Sequence, residues 1–298
     1  MSTALLEFVQ APLSFEQLSQ GEGSRSQSHL ANITIIDFND KAVVLGKFAG
    51  IIEINYKNGK VVEFSSEDAI NCLCLSGDRL LSGDISGNLT MWDLSSFKKS
   101  FSLKLAEPAA DFVHLPGSYW VTFTMTGSVC IFENENLISN QRAISFGFSR
   151  AVYSSQVNGI IAGSPTGHLS FFSLSGTTIA LRHTWFPHRN EICAILPISN
   201  DKIVSLARDG GAMLSSCTRG CSLVSVLPPG SCFPSRSIMS EGTIIRFLST
   251  DTKTVISVSL EEVEDRLRES RSLRLIELIA RTPIAKAGKA VKAKGKKK

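Results

Sequence analysis

Through the middle of the chain, apolar and polar or small side chains alternate in short runs, and glycine punctuates the runs at regular intervals. A period of two sends successive side chains to opposite faces of an extended strand, so each run predicts one strand. The clearest stretch starts at Ala69-Ile70-Asn71-Cys72-Leu73-Cys74-Leu75, turns at Ser76-Gly77-Asp78, and returns through Arg79 to Gly83. These two strands form a hairpin. A second turn, Asp84-Ile85-Ser86-Gly87, leads into Asn88-Leu89-Thr90-Met91-Trp92-Asp93-Leu94, and a fourth strand is expected near Phe101 to Leu105.

The same grammar returns at Val43 to Ile54, Trp120 to Phe132, Ile160 to Phe172 and Ile203 to Leu214. A degenerate sixth copy runs from Thr243 to Val258, with Lys253 where the turn glycine should stand. Gly50, Gly87, Gly127, Gly167 and Gly210 follow one another at intervals of 37, 40, 40 and 43 residues. That period is the one of WD40 repeats, and Trp92-Asp93 resembles the dipeptide that gives those repeats their name. The expectation is an all-β, WD40-type β-propeller with six recognisable blades; a β-sandwich or an unrelated barrel with regular turns is the alternative. A seventh, reduced blade stays open, since Ala4 to Val9 can supply a ring-closing strand. Two usual features are missing: no Gly-His dipeptide precedes the blades, and the acidic turn residue is clear only at Asp209. Ala49, Ser86, Thr126 and Thr166 take its place. Blades without that buried hydrogen-bond network are expected to lean on apolar packing between sheets.

The organisation that follows is an irregular segment over 1–30, the propeller over 31–259, a helix over 260–282 and a basic tail over 283–298. Charged and then apolar residues at helical spacing, among them Leu267, Leu273, Ile276 and Ile279, carry the helix expectation, with Thr282-Pro283 as its stop. Lys286, Lys289, Lys292, Lys294, Lys296, Lys297 and Lys298 interleave with Ala and Gly and offer no apolar face to bury, which predicts a disordered tail. Removing these seven charges takes the formal net charge from +4 to −3, so the body is mildly acidic and the basic character is concentrated at the end.

Composition narrows the class. With 298 residues and 43% hydrophobic content the chain can bury a large core. Met1 to Phe8 lacks the layout of a signal peptide, and no apolar run approaches the ~18 residues of a membrane helix, so no membrane association is expected. Seven cysteines, odd in number and scattered through strand-like segments, read as small core residues in a reducing compartment and not as a disulfide framework or a zinc site. Neither a phosphate-cradling loop between strand and helix nor a legible set of acid, base and nucleophile is present, so no catalysis and no cofactor are expected. His183 and His188 form the sole local histidine cluster; between blades, where loops are polar and exposed, it reads as structural or partner-contacting.

Candidate contacts lie one residue before the usual acidic turn position, which in WD40 propellers rings the mouth of the channel. They are Phe48, Ile85, Met125, Pro165, Arg208 and, by extrapolation, Asp251. Four of the six are apolar, which predicts a protein-docking ring unless the loops fold over and bury them. Closely spaced ammonium groups in the tail attract a polyanion or an acidic import receptor; without an aromatic for base stacking, RNA contact there is expected to be independent of sequence and sensitive to salt. A purely solubilising tail is the remaining alternative.

The order of motifs brings in a family. Ile70-Asn71-Cys72-Leu73, Leu80-Leu81-Ser82-Gly83-Asp84 and Met91-Trp92-Asp93 resemble the central blade of the WD repeat-containing protein 55 family. Ala162-Gly163-Ser164 with Gly167-His168-Leu169-Ser170-Phe171-Phe172, and then Ile192 to Pro197 through Asp209-Gly210 to Val226-Leu227-Pro228, are similar to the blades that follow it. The resemblance spans roughly 33 to 230 and implies a nucleolar protein of ribosomal RNA processing and large-subunit biogenesis, a family that ends in a basic tail. What it implies for this chain is a monomer within a larger complex, located in the nucleus and nucleolus. The alternative is a general adaptor, such as a ubiquitin-ligase substrate receptor or a cytoskeletal complex subunit, in the cytoplasm.

Overall fold

A computed structural model describes residues 33–39, 41–176, 178–199, 201–233, 238–248 and 255–281. Ala4 to Val9, Asp251, Lys253 and the tail lysines lie outside the described residues. The described chain is all-β apart from one C-terminal helix, and its strands form antiparallel sheets made of consecutive strands.

The first sheet holds β1 (Ile33–Phe38), β2 (Ala42–Lys47), β3 (Ile51–Tyr56) and β4 (Val61–Ser65). In the second are β5 (Ile70–Ser76), β6 (Arg79–Asp84), β7 (Asn88–Asp93) and β8 (Lys98–Lys104). β9 (Ala109–His114), β10 (Tyr119–Thr124), β11 (Ser128–Glu133) and β12 (Asn136–Arg142) make the third. A fourth comprises β13 (Arg150–Ser154), β14 (Gly159–Gly163), β15 (Leu169–Ser175) and β16 (Thr178–Trp185). The fifth has β17 (Ile192–Ser199), β18 (Lys202–Ala207), β19 (Ala212–Ser216) and β20 (Cys221–Leu227). Three strands, β21 (Ile238–Glu241), β22 (Ile244–Leu248) and β23 (Val255–Ser259), complete the sixth, where the repeat is weakest in sequence. Helix α1 (Leu260–Arg281) follows, buries Val263 and Leu267, and lies against β20 and β23.

Burial in the inner strands departs from simple alternation, because both of their faces are covered. The second and third strands of the second and third sheets, β6, β7, β10 and β11, are covered on both faces, whereas the fourth strands β8 and β12 are mostly exposed. The second and third sheets therefore have a covered inner part and a wet outer edge, and lysines and polar residues on β8 and β12 keep that edge from pairing with other chains.

Successive sheets meet through their first strands: β1 against β5, β5 against β9, β9 against β13, β13 against β17 and β17 against β21. Hydrogen bonds cross these contacts at the repeat distance. Asp37 accepts from the Leu75 N–H (2.7 Å), Asn71 donates to the Ala109 carbonyl (2.5 Å), and Asp111 accepts from the Ala151 N–H (2.9 Å). Ser149 and Arg150 then donate to the carbonyls of Ile192 (2.8 Å) and Cys193 (2.9 Å). The partners are 38, 38, 40, 43 and 43 residues apart, close to the spacing of the turn glycines.

Apolar clusters fill the spaces between neighbouring sheets. Phe64 of the first sheet stacks on Trp92 of the second with ring centroids 4.4 Å apart, and Phe123 of the third meets Phe172 of the fourth at 5.7 Å. Such aromatic pairs add about 0.5–1.5 kcal/mol each beyond the area they bury.

Candidate functional site

In a four-stranded meander the turn between second and third strands and the link to the next sheet lie at the same end. Here that end is built from one turn used five times. The N–H of Gly50, Gly87, Gly127, Gly167 and Gly210 donates to the carbonyl three residues earlier, at 2.9 to 3.2 Å. All five glycines have positive φ, between 76° and 104°, a region that excludes most side chains.

The residue two before each glycine occupies the first corner of this turn, where its side chain points away from the sheet. Phe48, Ile85 and Met125 are 68%, 47% and 51% exposed, and Pro165 and Arg208 are exposed as well. Loops do not cover these five; Asp251, the sixth candidate, lies outside the described residues. Proline suits this corner because its fixed φ matches the turn.

In the second, third and fifth sheets, side chains from the preceding link clasp the turn. Ser86 donates to Asp68 (2.7 Å) and Asn88 to Glu67 (3.3 Å). Thr124 donates to Glu107 (2.9 Å), as does Thr126, while Arg208 pairs with Glu191 (2.9 Å) and Asn190 with Asp209 (3.1 Å). The Ser86 hydroxyl and the Ala69 N–H hold the Asp68 carboxyl below its ordinary pKa, and the Thr126 hydroxyl does the same for Glu107. In the fourth sheet the clasp is aromatic. His168 stacks on Phe146 (centroids 4.5 Å apart) and meets Phe186 (4.7 Å), with Nδ1 3.0 Å from the Thr166 hydroxyl. Phe186 is 54% exposed, so it adds apolar surface beside His168.

The buried polar network expected to be lost persists, with its parts moved. Asp84, three residues before Gly87, is fully buried and accepts from the Ser66 hydroxyl, the Ser86 and Asn88 N–H groups and the Asn88 amide, at 2.8 to 3.0 Å. Thr124 and Ser164 stand at the same place and accept from Ser128 (2.8 Å) and His168 (2.9 Å). Five residues before the glycine, Ser82 accepts from the Trp92 indole N–H (3.0 Å) and Ser205 lies 2.8 Å from His188 Nε2. Any oxygen that reaches the turn amides serves, so the acidic residue at one fixed position is dispensable.

His183 and His188 do not form a shared site. His183 is exposed on β16, while His188 is buried and bonded to Ser205, contrary to the expectation of an exposed loop pair. Burial pushes the pKa of His188 down, and likewise that of His114, whose Nδ1 is 3.1 Å from the Ser76 hydroxyl at the opposite end of the sheets. Burial also pushes the thiols of Cys130 and Cys232 up to about 11 and that of Cys217 up to about 12. A thiol held protonated is a poor nucleophile and a poor metal ligand. Among the described residues no group of three or more His, Cys, Asp or Glu is placed to hold a metal ion, and no helix is long and apolar enough to cross a membrane.

Of the six corners read from the sequence, Phe48, Ile85, Met125, Pro165 and Arg208 are exposed; the burial of Asp84 and the Phe146–His168–Phe186 stack were not read. Asp84 sits in a recognisable turn; its burial is the unforeseen part. Phe186-Pro187, an aromatic in a link between sheets, was the one local sign of the stack.

No protein-family model matches the chain, and no curated protein does. Among solved structures the chain is similar to the computationally designed Ika8 protein, with a TM-score of 0.59 and 19% identity over 76% of this chain and 70% of that one. In all, 1713 solved chains match, so the architecture is widespread and does not by itself select a function.

Proposed function

We propose that the chain is a WD40-type β-propeller, each of its sheets a blade, that acts as a non-catalytic scaffold for protein partners. Serial contact between first strands, hydrogen bonds at the repeat distance and aromatic filling between sheets all support this arrangement. The observation that carries the docking role is the row of exposed corner residues, apolar at Phe48, Ile85, Met125 and Pro165, the last three on turns that the clasps hold in place. Apolar groups on a fixed frame lose little conformational freedom when a partner covers them, which is the condition for an energetic anchor.

The setting we propose is ribosome biogenesis and rRNA processing in the nucleolus, with the lysine tail supplying a non-specific, salt-sensitive hold on RNA. Support for that setting is the motif resemblance and the tail's composition. A cytoplasmic adaptor is the rival.

The test compares particles captured from nuclear extract by the full chain and by a variant carrying Phe48→Ser, Ile85→Ser and Met125→Ser. Recovery of pre-ribosomal particles by the wild type and its loss in the folded variant is the expected result. Recovery by neither chain removes the ribosomal setting, and equal recovery by both removes the docking face.

A further inference from the structure

At the end opposite the clasped turns, a cavity of about 190 Å³ opens between the first and second sheets, lined by Lys41, Tyr56, Asn58, Lys60, Asp78 and Phe97 among others. It is smaller than the roughly 300–1,000 Å³ of drug-sized ligand sites, so it suits a single side chain.

The backbone at its wall departs from the repeat. In the turns between third and fourth strands, the left-handed position is filled by Gly59, Asn134, Gly176 and Gly220 in four sheets and by Phe97, at φ 55°, in the second. Glycine and asparagine accept that conformation; for a bulky residue it is an outlier, and outliers that survive in a fold gather at sites of function. The Phe97 ring meets Tyr56 edge-on (centroids 6.4 Å, planes 89° apart) and carries the Lys60 ammonium 3.7 Å from its centre.

Charge adds a direction. Lys41 lies 3.8 Å from Asp78, a loose and mostly exposed pair, while Lys60 is tethered to an aromatic face. Two ammonium groups face one carboxylate, and a cation–π tether at an exposed site is weak enough to yield to an incoming anion. Burial and the Asp78 charge push the Tyr56 pKa up, so its hydroxyl remains a donor.

We propose that this cavity receives an acidic side chain from a peptide segment of a partner protein, its carboxylate drawn to Lys60 and Lys41 and an adjacent aliphatic group resting on Phe97 and Tyr56. The site is separate from the clasped turns and does not depend on what docks there.

The test is an amide-resolved NMR titration of the full chain with acetyl-Gly-Leu-Glu-Leu-Gly-amide and its Gln counterpart. The Glu peptide is expected to shift the amides of Lys60, Asp78 and Phe97, and the Gln peptide to bind about tenfold more weakly, the effect of one lost charged hydrogen bond. Lys60→Gln should weaken the Glu peptide by a similar factor. Phe97→Asn, which suits the left-handed turn, should weaken it while leaving the fold intact. Equal binding of the two peptides, undiminished binding to Lys60→Gln, or inorganic phosphate shifting the same amides at lower concentration than the Glu peptide would each overturn the proposal.

Discussion

The second and fifth sheets solve one problem in two ways. Both bury a serine five residues before the turn glycine, Ser82 and Ser205. Ser82 is satisfied within its own sheet by the Trp92 indole; Ser205 is satisfied by His188, which arrives from the link before the sheet. Their turns differ likewise: buried Asp84 gathers four donor groups in the second, whereas half-buried Asp209, two residues later in the pattern, accepts from the Gly211 N–H (3.0 Å) and from Asn190 in the fifth. The architecture requires that the turn amides and the buried hydroxyl find partners, and it leaves open which residue provides them.

Orphaned hydroxyls remain in the third and fifth sheets. In the third sheet Phe132 stands at the place of Trp92, and Thr122, at the place of Ser82, has a buried hydroxyl without a hydrogen-bond partner among the described residues. In the fifth sheet Ser215 takes the place of Trp92, and its hydroxyl is orphaned in the same sense. A buried hydroxyl needs its partner; Phe132 brings no donor to Thr122, and Ser215 stands at the donor's own place while Ser205 is already bonded to His188.

The contrast is broken most strongly at Asp84. Asp84→Ala strands the donors of Ser66, Ser86 and Asn88 and should cost about 3 kcal/mol of unfolding free energy, against about 1 kcal/mol or less for Asp209→Ala. Urea denaturation measures both, and equal losses would refute the assignment of Asp84 as the heavier hub. A smaller effect of opposite sign is expected at Thr122→Val, which removes the orphan at nearly constant volume and should add about 1 kcal/mol. A loss of stability in the same experiment would mean that Thr122 has a partner after all.

The smallest effect sharpens the role of His188 in the fifth sheet. Its folded pKa lies below the unfolded value near 6.5, so above that pH it contributes no slope. As pH falls below 6.5 the unfolded chain takes up the proton first, and stability drops until the lowered folded value is passed. His188→Gln should flatten the stability profile in that window, with His114 retaining a slope of the same sign. An unchanged slope would remove His188 from the account.

Much of this was legible in the sequence. The alternation around Ile70 to Leu75 and Arg79 to Gly83 corresponds to β5 and β6, and the five turn glycines all adopt the left-handed backbone that their spacing implies. Local pattern sets these features, because strand alternation and turn chemistry depend on neighbours in the chain. The site was harder to read. Clasp partners such as Ser86 and Asp68, or His168 and Phe146, are about 20 residues apart, and a position's burial depends on the next sheet. His188 looked exposed because the link around it is polar, yet the link turns inward to reach Ser205.

Four buried thiols are spread along the described sheets. Cys72 lies in the second sheet, Cys130 in the third, Cys217 beside the fifth, and Cys232 beneath the Gly210 turn, its Sγ 3.0 Å from the Gly210 carbonyl. Shielded by burial, such a thiol meets an alkylating reagent only when the structure around it opens. The chain therefore carries built-in clocks along its length, and comparing their labelling rates tells whether neighbouring sheets open together or one at a time.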